Sequence, residues 1–116
     1  MKKVLILGGA GFIGRGICDY LVSNRKYNIT LADIDFSKCD DFTNDKFKLN
    51  DNIRIIESDF SSPNSFSKLD SNYDYVYMLA SIVGVNKCIQ YPHEVIRVNT
   101  ALIQNTLEWI TKNDIG

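Results

Sequence analysis

The sequence predicts a doubly wound α/β domain built on a parallel sheet, and three observations carry that prediction. A short apolar run, Lys3-Val-Leu-Ile-Leu7, ends in glycines; the apolar spacing then changes to a four-residue period; and strand-like and helix-like stretches go on alternating as far as residue 112. Such alternation builds a parallel sheet with right-handed crossovers. The expected strand order is 3-2-1-4.

Lys3 to Leu7 is continuously apolar and partly β-branched, the pattern of a central strand buried on both faces. From Phe12 onward, Ile13, Ile17 and Leu21 recur every four residues and give one apolar face to a helix running to about Ser23. Ile29 to Ala32 is the second strand, ended by Asp33. Residues 34–51 are polar, with Phe36, Phe42 and Phe47 in no regular period. That stretch is longer than the roughly 12 to 15 residues of a structureless loop, which leaves room for a short helix. Ile53 to Glu57 alternates as a third strand. Ser61, Ser62 and Pro63 open a short helix toward Leu69, with Pro63 at its first turn. Tyr75 to Ala80, rich in aromatics, is the fourth strand. A loop through Gly84 and Lys87 leads to Pro92, where the longest helix begins; Val95, Leu102, Thr106 and Ile110 carry its period to about Lys112. No repeat or linker divides the chain, so residues 1–116 read as one domain.

Composition excludes several classes. The 116 residues hold 13 Lys plus Arg against 14 Asp plus Glu, a net charge of -1, with 45% hydrophobic residues. That balance lacks the basic surplus of a nucleic-acid binder. The run from Val4 to Leu7 stops at Gly8 and Gly9, far short of the ~20 residues that span a membrane or the roughly 7 to 15 of a secretory core. Cys18, Cys39 and Cys88 show no CxxC pair, so reduced thiols and a cytoplasmic location are expected. Cys88 reads as a small packed residue, His93 as a surface residue at a helix start. No Cys/His/Asp cluster has zinc spacing, and no metal site is expected.

The chemistry is written in Gly8-Gly9-Ala10-Gly11-Phe12-Ile13-Gly14, between the first strand and the first helix. It satisfies GxGxxG with Gly9, Gly11 and Gly14, and GxxGxxG with Gly8, Gly11 and Gly14. The first glycine permits a tight turn, Gly11 lets backbone approach a pyrophosphate, and Gly14 lets the helix lie close on the sheet. The free N–H groups at the helix start, including those of Phe12 and Ile13, then face the phosphates. A glycine-rich turn can serve packing alone, but this one is followed by Asp33 at the end of the second strand, near the ~20-residue spacing expected for the group that binds the adenosine ribose. The residues after Gly14 lack the Lys-Ser/Thr of a P-loop. Beside Asp33 a 2′-phosphate would meet repulsion of about 4 kcal/mol at ~4 Å and an effective dielectric of ~20. Ile34, Asp35 and Phe36 offer no cation to reverse this. NAD is favoured over NADP.

With Gly8 to Gly14, Asp33, Ser58-Asp59-Phe60, Met78-Leu79-Ala80-Ser81 and Asn99, the sequence resembles the extended short-chain dehydrogenase/reductase family, and within it the NAD-dependent nucleotide-sugar epimerases and dehydratases. The resemblance covers essentially the whole chain and implies a Rossmann-like fold. It implies that Asp33 and the neighbouring Ile34 meet the ribose, that Asp59 accepts from the adenine amine with the Phe60 backbone at the ring edge, and that Leu79, Ala80 and Ser81 line the nicotinamide side. Read alone, Asp59 is also a solvated strand-end residue and the last three are a strand end. Asn99 matches the Asn of the family's Asn-x-x-Gly helix, with Leu102 in place of the Gly. The loop from Ile82 to Tyr91 is expected to border the sugar.

The family works through a Tyr-x-x-x-Lys pair. None of the six tyrosines here has lysine four positions on. No catalytic residue is therefore assigned, and the chain is expected to be an N-terminal fragment, truncated before the fifth strand. Its fourth strand, left as an edge, would favour a homodimer or aggregation through that edge. The parent is expected to act on a nucleotide sugar by transient hydride transfer to bound NAD. The alternatives are a non-catalytic dinucleotide-binding sensor or subunit and, less well matched, a methyltransferase-like domain.

Overall fold

The computed structural model describes residues 1–24, 26–37, 39, 50–82 and 85–115. Four strands, β1 (Lys2–Leu7), β2 (Tyr27–Asp33), β3 (Ile53–Glu57) and β4 (Tyr75–Met78), pair in parallel in the order β3-β2-β1-β4, as predicted. Helix α1 (Phe12–Val22) follows β1, a 3-10 helix (Pro63–Lys68) follows β3, and α2 (Val85–Gln90) and α3 (Pro92–Lys112) follow β4.

Side chains alternate across a strand, so β1 feeds two cores at once. Val4 and Ile6 join Ile29 and Leu31 of β2 and Cys18 and Leu21 of α1. Leu5 and Leu7 join Ala32, Ile56, Phe66, Tyr73 and, from α3, Leu102 and Trp109. All four β1 residues are at most 1% exposed, which is why the sequence there is unbroken by polar residues. Aromatic contacts organise the second core. Phe60 meets Phe66 edge-on at 5.1 Å, and Trp109 lies 5.5 Å from Phe66 and 6.0 Å from Tyr73. Each such pair adds about 1 kcal/mol beyond its buried area. The buried hydroxyls are satisfied: Tyr73 donates to Thr30 Oγ1, Ser65 to the Asp59 carbonyl and Thr106 to the Leu102 carbonyl.

Several elements depart from the sequence reading. β2 begins at Tyr27 rather than Ile29, because Tyr27 and Asn28 continue the ladder opposite Lys2 and Lys3. β4 ends at Met78 rather than Ala80: its partner β1 ends at Leu7, and the Leu79 amide bonding to the Leu7 carbonyl at 2.8 Å closes the ladder. The short helix toward Leu69 is a 3-10 helix. The loop through Lys87 contains α2. Phe36 and Cys39 are buried under α1, whereas Cys88, expected to be packed, is exposed on α2. Phe42 and Phe47, and most of the stretch left open for a short helix, lie outside the described residues.

The register places Tyr75 and Tyr77 on the same face as Val4 and Ile6. There they are half exposed, beyond the cover that α1 gives to β1 and β2. Among the described residues no helix is long and apolar enough to cross a membrane.

Candidate functional site

The chain turns sharply out of β1. Gly8 has φ +95°, and a Cβ there would sit 2.7 Å from the Ala80 nitrogen and 2.8 Å from the Leu79 carbonyl carbon. Both conditions demand glycine. The Gly8 and Gly9 amides donate to the Ala32 carbonyl at 2.8 and 3.1 Å, and the Gly11 amide to the Gly8 carbonyl at 3.1 Å. Helix α1 then starts against this loop: a Cβ on Gly14 would lie 2.5 Å from the Gly8 oxygen. Gly11 caps α1 with no side-chain bond, so the first-turn N–H groups of Phe12, Ile13 and Gly14 keep the unpaired state of any helix start. The Phe12 and Ile13 side chains are exposed.

Asp33 ends β2 beside the loop. Its Oδ2 accepts from the Ala10 amide at 3.0 Å and its Oδ1 from the Ile34 amide at 2.7 Å. The Ser58 amide donates to the Asp33 carbonyl at 2.9 Å and brings the end of β3 alongside. Asp59 Oδ1 accepts from both the amide and the hydroxyl of Ser61, at 3.0 and 2.6 Å.

A crevice of about 290 Å³ opens at the carboxyl ends of the strands. Doubly wound sheets bind ligands at that edge. It gathers six of the residues singled out from the sequence: Asp33, Ile34, Asp59, Phe60, Ala80 and Ser81. The glycines, Phe12, Ile13 and Leu79 do not line it; they form the adjoining wall, joined to it through the Asp33 bond to Ala10 and the packing of Gly8 on Leu79 and Ala80. A larger groove of about 590 Å³, between the 3-10 helix and the second half of α3, touches none of the singled-out residues.

The sequence reading missed the far wall. Glu94, Arg97 and Val98 of α3 line the crevice. Arg97 donates to both Glu94 oxygens, which raises the guanidinium above its ordinary value, with nearby Asp59 adding to this, and holds the Glu94 carboxyl below its own. Asn99 proves to be a clamp. Its Oδ1 accepts from the Ile82 amide at 2.7 Å and its Nδ2 donates to the Ile82 carbonyl, fixing the chain that leaves β4. Leu102, at the position where the Asn-x-x-Gly pattern has Gly, packs in the core and reaches the crevice. Among the described residues no group of three or more His, Cys, Asp or Glu is placed to hold a metal.

A parallel sheet with helices on both faces, a glycine turn after β1 and a crevice at the strand ends define a Rossmann-type domain. The chain belongs to the NAD dependent epimerase/dehydratase family, whose family model matches residues 4–116. UDP-N-acetyl-alpha-D-glucosaminuronate decarboxylase of Bacillus cytotoxicus is 35% identical over 111 residues, covering 92% of this chain and 32% of that protein. Solved structures share the fold. Pen from Bacillus thuringiensis is 27% identical with a TM-score of 0.82, covering 98% of this chain and 35% of its own. The UDP-N-acetylglucosamine 4-epimerase of Methanobrevibacter ruminantium M1, in complex with UDP-N-acetylmuramic acid, is 25% identical with a TM-score of 0.76 over 98% and 35%. The chain spans about a third of the length of these relatives.

Proposed function

We propose that residues 1–116 form the NAD-binding domain of an enzyme that epimerises, dehydrates or decarboxylates a nucleotide sugar. The observation that carries this reading is Asp33, a carboxylate at the end of β2 that both holds the glycine loop and lines the crevice. The cradle fits the cofactor. Glycine leaves the approach to α1 without a Cβ at Gly11, and the helix start carries no side-chain cap that would compete with a phosphate.

Gly11 and the amides of Phe12, Ile13 and Gly14 would hold the pyrophosphate; the Asp33 carboxylate, beside Ile34, would accept from the ribose hydroxyls; Asp59 would accept from the adenine amine, with Phe60 at the ring edge. Leu79, Ala80 and Ser81 would flank the nicotinamide. NAD, when bound, would supply a reversible hydride acceptor for the sugar. The sequence holds no Tyr-x-x-x-Lys. Proton transfer is therefore assigned to the length of the parent protein beyond this third, as is the nucleotide-sugar contact.

Calorimetric titration of this chain with NAD and NADP tests the reading. NAD is expected to bind in preference to NADP, and Asp33→Asn to weaken NAD by about tenfold, the weight of a hydrogen bond to a charged group. A folded sample that binds neither overturns it. Full-length protein that binds NAD and never turns it over would favour a non-catalytic sensor.

A further inference from the structure

We propose that Cys39 is a positioning residue: its thiol and the Asp33 carboxylate together clamp the Ala10 peptide, and this clamp sets the glycine loop for a pyrophosphate. The clamp is a statement about the loop; its consequence for the ligand rests on the NAD reading above.

The backbone bonds of the loop are largely indifferent to side-chain identity. Gly8 and Gly9 bond to the Ala32 carbonyl, Gly11 to the Gly8 carbonyl, and Arg15 to the Gly11 carbonyl. Ala10 differs. Its N–H donates to Asp33 Oδ2 at 3.0 Å, and its C=O accepts from Cys39 Sγ at 3.2 Å. Both partners come from the chain that leaves β2, so a single segment holds this residue by its amide and by its carbonyl. Ala10 is half-buried, and two side chains supply the partners of its main-chain amide and carbonyl. The position of the thiol is itself fixed. The Cys39 amide donates to the Phe36 carbonyl at 3.1 Å, and the Phe36 amide donates to Glu57 Oε2 at 3.2 Å. A relay thus runs from the end of β3, through Phe36 and Cys39, to the loop.

A buried cysteine also serves as a small apolar filler, and Cys39 is 5% exposed within the core under α1. The two roles predict opposite orders of substitution. A filler is replaced better by alanine than by serine, because an apolar site penalises a hydroxyl. A donor is replaced better by serine, which keeps an O–H to offer.

The test compares Cys39→Ser and Cys39→Ala with the parent chain. In ligand-free protein, amide hydrogen exchange at Ala10 and Gly11 is expected to accelerate about fivefold in Cys39→Ala, the weight of one modest hydrogen bond, and to stay near the parent rate in Cys39→Ser. In titrations, Cys39→Ala is expected to weaken NAD by a similar factor and to leave adenosine, which has no pyrophosphate, unchanged. Unchanged exchange in Cys39→Ala, a serine variant worse than the alanine one, or equal losses for NAD and adenosine would each overturn the proposal. If the parent chain binds no NAD, the cofactor reading fails, and the exchange rates still decide the clamp.

Discussion

At the amino end of the strands a lysine, an arginine and their polar partners form a side-chain cluster, whereas at the carboxyl end, the Glu94–Arg97 pair aside, the Asp and Asn side chains hold main chain. Lys3 Nζ donates to Asp70 Oδ2 at 2.7 Å and Asn72 Oδ1 at 2.6 Å, over the Tyr73 ring, and Arg54 lies 3.6 Å from the same Asp70. This network is closed. At the other end Asp33, Asp59, Asn99 and Asn105 direct their oxygens and amides at the backbone of Ala10, Ile34, Ser61, Ile82 and Phe60. The first arrangement cancels charge; the second shapes loops around an open crevice.

Substitutions at the two ends should separate stability from binding. The largest effect is expected at the carboxyl end. Gly8→Ala combines a φ of +95° with a Cβ 2.7 Å from backbone, a loss of about 3 kcal/mol visible in thermal unfolding together with loss of NAD binding. A variant that keeps full stability would show that the turn is not held as tightly as this geometry requires. Tyr73→Phe comes next. It strands the buried Thr30 hydroxyl and is expected to cost about 1 kcal/mol while leaving NAD affinity unchanged. Altered affinity there would couple the two ends.

The smallest effect is expected from Lys3→Met, below about 1 kcal/mol and shrinking with added salt, because the pair is partly exposed. It also carries a pH signature. The Lys3 hydrogen bond, helped by the charges of Lys3 and Arg54 against a burial penalty, lowers the Asp70 carboxyl from its ordinary 3.8. A carboxyl depressed on folding contributes stability that is complete above that ordinary value and is lost as pH falls through the lower one. Urea midpoints measured from pH 5 downward should therefore fall in the parent and flatten in Asp70→Asn. Parallel slopes would remove the pair from the account of stability.

What the sequence announces depends on whether the cause is local. Leu5 and Ile6 are apolar because both faces of β1 are covered, and that shows as an unbroken run. Pro92 and the recurring Leu102 and Thr106 mark α3 from Pro92 to Lys112. Asp33 stands out because a strand end locates it. Helix α2 does not: its six residues are under two turns, too few to display a period, and Ile89 on it is exposed. Phe36 and Cys39 are buried by a helix distant in sequence, so nothing around them signals it. Glu94 and Arg97 look like the solvated first turn of any long helix. Only the crossing of α3 over the sheet brings them to the strand ends.

The strand order has a consequence during synthesis. β1 is the most enclosed element and leaves the ribosome before both its neighbours, β2 and β4, which end at residues 33 and 78. At about 5 to 20 residues per second, its second partner emerges roughly 4 to 14 s later. Throughout that interval an apolar, β-prone segment has at least one open edge, the condition under which nascent chains associate. Slower translation of residues 34–78 lengthens the exposure, so the yield of soluble protein should respond to codon choice in that stretch.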